Sequence, residues 1–267
     1  MKEGFAMGCL RRLLALTLCG GMLFALPARA EEEELSLGDV LDPETYTEVT
    51  ATPEPTPVPD PNDPATLVPE EIRNVLDIAY NEWETLGGKT LSQSNKYTWW
   101  RCGKGCKFGW CGGFVTWCML EGGIPMDELQ DIPEQVGSVY HVKEASVGKL
   151  LKGYQQLGRT TQIPQPGYAV VYGVQKSANK TVHVGLVYDV QDLGDGIYRL
   201  TTIEGNVSNR VKMYIYDYNS NEEFVTENMS KIPEEERTLE ANVYTSYKLH
   251  TDNWYINTFL MSWVPEE

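Results

Sequence analysis

The stretch Thr181-Val182-His183-Val184-Gly185-Leu186-Val187-Tyr188 reads as an extended strand in which His183, Gly185 and Val187 share one face. His183 is the polar residue that interrupts an otherwise apolar run. β-branched and aromatic residues dominate here, and they also dominate Tyr168 to Gly173, Ile197 to Glu204 and Arg210 to Tyr218. Gly, Asn or Asp turns separate these segments. Asp195-Gly196, ahead of Ile197, is the pattern of a tight hairpin. The region therefore reads as a meandering antiparallel sheet, with Trp254 to Val264 expected as a last strand. Asn219 to Glu240 reads as an acidic insertion or a helical excursion.

Upstream of the sheet the period changes to that of helices. Pro69-Glu70-Glu71 suits a first helical turn, and Ile72, Val75, Leu76, Ala79, Trp83 and Leu86 form one apolar stripe that stops at Gly87-Gly88. A polar loop, Lys89 to Lys96, leads into Tyr97-Thr98-Trp99-Trp100. A second helix is expected within Trp110 to Gly123, with Phe114, Val115, Cys118 and Met119 on one face and the Gly122-Gly123 pair as its stop. A third covers about Ser146 to Leu157. Helices first and a sheet afterwards define an α+β domain, with N-terminal helices packed on an antiparallel β-sheet.

The chain has 267 residues, and its net charge of -16 argues against nucleic acid as a partner. That charge is unevenly spread. Residues 31–69 hold eleven acidic residues, no Lys or Arg, and eight of the fifteen prolines. Alternating prolines and like charges favour an extended, solvated chain, so 31–68 is expected to be a disordered linker. Residues 1–30 place Lys2, Arg11 and Arg12 ahead of the apolar run Leu13 to Leu26, followed by Pro27-Ala28-Arg29-Ala30. This is the pattern of a secretory signal peptide cleaved after Ala30. As a helix the run would reach about 21 Å, short of the roughly 30 Å hydrocarbon core, so no stable membrane insertion is expected after cleavage. The folded domain is expected at 69–267, with its core at about 90–217 and a C-terminal extension. Only 26 acidic and 18 basic residues lie in 70–267, so the folded domain is only mildly acidic.

Four cysteines (Cys102, Cys106, Cys111, Cys118) and three histidines (His141, His183, His250) lie beyond the signal. Cys111 stands where a loop turns into a helix, so unpaired N–H groups and the helix dipole favour its thiolate. Gly112 and Gly113 are expected to leave room there for a substrate backbone. A lone cysteine is more often a small buried hydrophobe, and Cys118, seven residues along the apolar face, fits that description better. Cys102 and Cys106 share a flexible loop that can bring them to bonding distance in an oxidising compartment, for roughly 2 kcal/mol at most. A zinc site from all four cysteines competes, but Cys111 and Cys118 lack the close spacing of a zinc knuckle. Strand alternation places Glu204 and Asn206 on one face, where a carboxylate or amide can hold His183 in the tautomer that accepts a proton from Cys111. His141 and His250 read as surface residues. Trp83 reads as core, whereas Trp99, Trp100 and Trp110 flank the site and can either stack on substrate or pack internally.

Four motifs in this order resemble one family: Trp110-Cys111-Gly-Gly-Phe114-Val115, Pro166-Gly167-Tyr168-Ala-Val-Val, His183-Val-Gly-Leu-Val187 and Ile203-Glu204-Gly205-Asn206. The sequence is similar to the CHAP family of cysteine, histidine-dependent amidohydrolases and peptidases, over roughly residues 90 to 217. Tyr168 departs from the Asp often found there, which concerns the turn and not the catalytic set.

The resemblance implies a papain-like fold, with Cys111 as nucleophile, His183 as base, and Glu204 and Asn206 as orienting residues. It further implies a secreted, monomeric, cell-wall-associated hydrolase of amide bonds in bacterial peptidoglycan, needing no metal or cofactor. Trp110, Tyr97, Trp99 and Trp100 are the expected substrate-binding residues, with Asn95 or Tyr97 as a second oxyanion donor. Hydrolysis at the muramoyl amide, hydrolysis within the stem or bridge, and acyl transfer all use the same residues. A catalytically silent wall-binding module is the alternative of a different class.

Overall fold

A computed structural model of the chain describes residues 68–174, 181–222, 228–237, 243–245 and 254–265. The expected signal peptide, the linker up to residue 67, and His250 lie outside these residues. Val68, expected as the last linker residue, is already buried.

Helix α1, Glu70–Leu86, starts behind Pro69 with Glu70 and Glu71 at the positive end of its dipole, and stops at Gly87 in the left-handed conformation (φ 51°). Its stripe of Ile72, Val75, Leu76, Ala79 and Trp83 is buried. Helix α2, Lys96–Cys102, occupies the segment that followed the expected polar loop. Asn95 starts it: its side chain accepts from the Tyr97 N–H at 2.9 Å, while Thr98 Oγ1 accepts from the Asn95 N–H at 3.2 Å.

Helix α3, Cys111–Glu121, is apolar on nearly every side and buried accordingly. It touches α1, α2, the following helix α4 (Val147–Gln156), and the sheet. Its glycines permit that crowding. A Cβ on Gly112 would collide with the Ala145 carbonyl, and one on Gly113 with the Tyr97 carbonyl. The space expected for a substrate backbone is thus filled by the protein's own backbone.

Short strands β1 (Met126–Asp127) and β2 (His141–Val142) pair in parallel. The main sheet contains β3 (Thr160–Thr161), β4 (Ala169–Val174), β5 (Thr181–Gly194), β6 (Ile197–Glu204), β7 (Lys212–Asn219), β8 (Met229–Ser230), β9 (Val243–Tyr244) and β10 (Trp254–Leu260). Its order is β3-β10-β4-β5-β6-β7-β8, with antiparallel neighbours, and β9 pairs in parallel with β7. Asp195 (φ 53°) and Gly196 (φ 76°) form the tight turn between β5 and β6, since both central residues of a type I′ turn need positive φ. Of the acidic stretch 219–240, the described part holds β8 and a single 3₁₀ turn, Glu234–Glu236, and no longer helix. The domain is α+β, as expected. The expected C-terminal extension is an integral part of the sheet: β10 lies between β3 and β4, so the last described strand closes against segments almost a hundred residues earlier.

His141, expected at the surface, is fully buried. Thr116 Oγ1 donates to the Glu144 carbonyl at 2.6 Å, so it must accept from His141 Nε2–H at 2.9 Å. The other ring nitrogen, Nδ1, then accepts from the Tyr154 hydroxyl at 2.8 Å. Burial holds this neutral imidazole down to about 3 from an ordinary 6.5. Between those values the unfolded chain binds the proton and the folded one does not, so His141 lowers stability as pH falls below 6.5. The slope approaches about 1.4 kcal/mol per pH unit. His141→Gln, which cannot titrate, should show a flatter fall in melting temperature between pH 6.5 and 4 than the parent; parallel curves would contradict this assignment.

Candidate active site

Cys111 is the first residue of α3, and its thiol hydrogen-bonds the ring of His183 on β5. His183 Nε2 meets Glu204 Oε2 at 2.9 Å, which leaves Nδ1 as the ring nitrogen on the thiol side. Register explains how Glu204 reaches the imidazole. Leu186 pairs with Ile203, so Glu204 lies opposite Gly185, two residues along the same face from His183. A Cβ on Gly185 would strike the Glu204 side chain, so the glycine clears the path for the carboxylate.

Glu204 is fully buried and would be costly to charge without partners. Besides His183, it accepts from Tyr172 Oη at 2.5 Å and Thr202 Oγ1 at 2.7 Å. Tyr172 spends its proton on the carboxylate, so Tyr216 donates to Tyr172 at 2.9 Å. Across the β6–β7 ladder the partner of Glu204 is Lys212, itself buried with Nζ 4.3 Å from the centre of the Tyr244 ring. The Tyr172 and Trp254 rings each lie 5.6 Å from the His183 ring, centre to centre.

Burial pushes the Cys111 thiol up. The hydrogen bond and charge of His183, joined by backbone groups of Gly112 and Val184, outweigh that and hold the thiol below its ordinary 9.0. Burial would lower His183, but its hydrogen bonds and charges with Cys111 and Glu204 raise it above its ordinary value. Both shifts favour a thiolate beside an imidazolium. Cys118 shows the contrast: burial, reinforced by the charge of Glu82 and only partly offset by that of Lys96, pushes its thiol well above the ordinary value.

The other expected site residues are placed differently. Asn206 adopts a left-handed backbone (φ 64°), with its amide near Gly109, and makes no hydrogen bond to His183 among the described residues. The left-handed turn takes Asn206 out of the strand that alternation assumed, so of the two only Glu204 meets the His183 ring. Tyr97 and Trp110 are fully buried and stack on each other with ring centres 5.0 Å apart, so neither presents a surface to substrate. Tyr97 donates its hydroxyl to Glu82, and Asn95 caps α2, so neither serves as an oxyanion donor. Trp100 is half-buried and donates Nε1 to the Gly113 carbonyl at 3.1 Å. Trp99 alone of the four is open, at 36 % exposure, with Nε1 on Ser94 Oγ. A disulfide joins Cys102 to Cys106, Cα atoms 5.8 Å apart, which leaves too few thiolates for the four-cysteine zinc alternative.

Tyr172, Thr202, Tyr216 and Trp254 were not singled out from the sequence. Thr202 had a signal, since it lies two residues before Glu204 on the same face. The others depend on strand order and on pairing across the sheet.

The CHAP domain family model matches residues 101–206, from Arg101 in α2 to Asn206, and so takes in Cys111, His183 and Glu204. Over these residues the chain is similar to the CHAP family, whose members are typically hydrolases acting on peptidoglycan. No curated protein and no solved structure matches the chain.

In His183→Ala, burial is left as the main influence on Cys111 and its thiol should rise above 9.0. Alkylation of Cys111 by iodoacetamide at neutral pH, followed by mass spectrometry, should slow at least about tenfold. Cys118 should stay unlabelled in both proteins. Equal labelling rates would contradict the pairing.

Proposed function

We propose that this protein is a secreted cysteine hydrolase that cuts amide bonds in bacterial peptidoglycan. The observation that carries the reading is the buried Cys111–His183–Glu204 array, lying inside the span that matches the CHAP family. The Cys111 thiolate attacks the amide carbonyl and forms a C–S bond, driving negative charge onto the carbonyl oxygen. The Cys111 N–H, in the first turn of a helix, donates to that oxygen. His183 gives its Nδ1 proton to the departing amine as the C–N bond breaks. It then takes a proton from water, whose oxygen displaces the thiolate from the acyl carbon and releases the acid.

In this reading Glu204, held by Tyr172 and Thr202, is the positioning residue for His183. The expected papain-like architecture is kept as part of the proposal, because helix-borne nucleophile and strand-borne histidine meet at one helix–sheet seam. Export through a cleaved signal ending at Ala30 fits the Cys102–Cys106 disulfide, a bond that persists in oxidising compartments. Residues 31–68 then act as an acidic spacer.

The muramoyl amide and the bonds of the stem or bridge are the candidate cleavage points. Cys111→Ala should abolish release of new amino groups from purified peptidoglycan, and mass spectrometry of the soluble fragments from the parent protein identifies the bond. Release unchanged in Cys111→Ala would refute the assignment.

A further inference from the structure

A cleft of about 400 Å³ adjoins the nucleophile and has no role in the chemistry just described. Gly109, two residues before Cys111, forms one wall. Ala145, whose carbonyl abuts Gly112, forms another. The cleft thus lies beside the turn that carries Cys111.

Its charged residues are Arg101, Lys149 and Glu144. Glu144 is the buried member, and its Oε1 is occupied by the N–H groups of Ala145 at 2.8 Å and Ser146 at 3.2 Å. Both cations converge on the remaining oxygen, Oε2, Arg101 at 3.7 Å and Lys149 at 3.4 Å. These are ion-pair separations, longer than the roughly 2.7–2.9 Å of a charge-assisted hydrogen bond. Lys149 Nζ makes no hydrogen bond among the described residues, and its side chain is 57 % exposed. Arg101 places NH1 on Glu128 at 3.1 Å, outside the cleft, and keeps the other arm toward it. Within the lining, two cations thus face one carboxylate that is already half engaged by backbone, while Glu128 pairs with Arg101 from outside. The unspent donors of the cleft are those of the Lys149 ammonium.

We infer that this cleft is a substrate subsite for a free carboxylate, gripped by Lys149 and Arg101, so that the enzyme prefers acidic peptides over the same peptides with the carboxylate amidated. The inference rests on the hydrolase reading and adds a substrate class to it. A carboxylate presents two acceptor oxygens to the fork of Arg101 and the ammonium of Lys149; a carboxamide presents one acceptor and two donors, which face cations unfavourably. Glu144 acts as the fixed counter-anion that keeps both cations aimed inward when no substrate is bound. Its capture of two backbone N–H groups fixes it at the start of α4.

The test compares kcat/KM of soluble stem-peptide fragments whose carboxylates are free with that of the same fragments amidated. The parent protein should favour the acidic form by about tenfold, mainly through KM, as one good charge-assisted contact provides. In Lys149→Ala the preference should fall toward one, Lys149→Arg should restore most of it, and added salt should weaken it because Lys149 is exposed. Equal cleavage of both forms by the parent, or a preference unchanged in Lys149→Ala, overturns the subsite and leaves the hydrolase reading standing. Failure of the parent to cleave either form, with intact peptidoglycan also untouched, overturns the hydrolase reading and the subsite with it.

Discussion

A carboxylate with no access to water has to be neutralised where it stands, and Glu204 is such a group. Tyr172, Thr202 and His183 each contribute one hydrogen bond to it, and Lys212 sits opposite in the ladder. Those contacts fix the position of the carboxylate, and the carboxylate fixes the imidazole. The hydrogen bond and charge of His183 in turn hold the Cys111 thiol below its ordinary value against burial, which opposes them. Cys111, His183 and Glu204 thus form one row of alternating charge tendency running from α3 across β5 to β6. Breaking the row anywhere leaves a buried charge without its partner, which costs more than the contact itself contributes.

The rest of the fold serves to bring this row together. Helix α3 can carry Cys111 onto the sheet only because Gly112 and Gly113 let its backbone lie against Ala145 and Tyr97. Gly185 gives the Glu204 side chain its path, and β10 closes the sheet beside β4 so that Trp254 lies near His183. The His141–Thr116–Tyr154 bonds, with that of Thr116 to the Glu144 carbonyl, tie α3 to the Glu144–Ala145 segment, which lies against the turn of Cys111 and forms one wall of the neighbouring cleft.

Much of this could be read in the sequence because it depends on local periodicity. The stripe from Ile72 to Trp83, the turn at Asp195-Gly196, and the shared face of His183 and Gly185 follow from neighbours a few residues apart. The helix at 96–102 was also encoded locally, in the Asn95–Thr98 capping pair, but its seven residues are too short to show an apolar stripe. What could not be read depends on register or on distant contacts. Nothing near Tyr172 announces that β4 pairs it with His183, and nothing near Trp254 announces an inner strand. Trp110 and Tyr97 were assigned to substrate because they neighbour the cysteine in sequence, whereas the crowding around α3 turns both rings inward. Asn206 was assigned to histidine by alternation, which a single left-handed residue cancels.

The central claim is that the Glu204 charge, and not merely its shape, sustains the thiolate at Cys111. Glu204→Gln keeps the size and an acceptor oxygen while removing the charge, so it separates the two. Titration of the thiolate absorbance of the parent should show a midpoint below 9.0, and in Glu204→Gln that midpoint should move upward as the imidazolium loses its counter-charge. An unchanged midpoint in a folded Glu204→Gln protein would contradict the account.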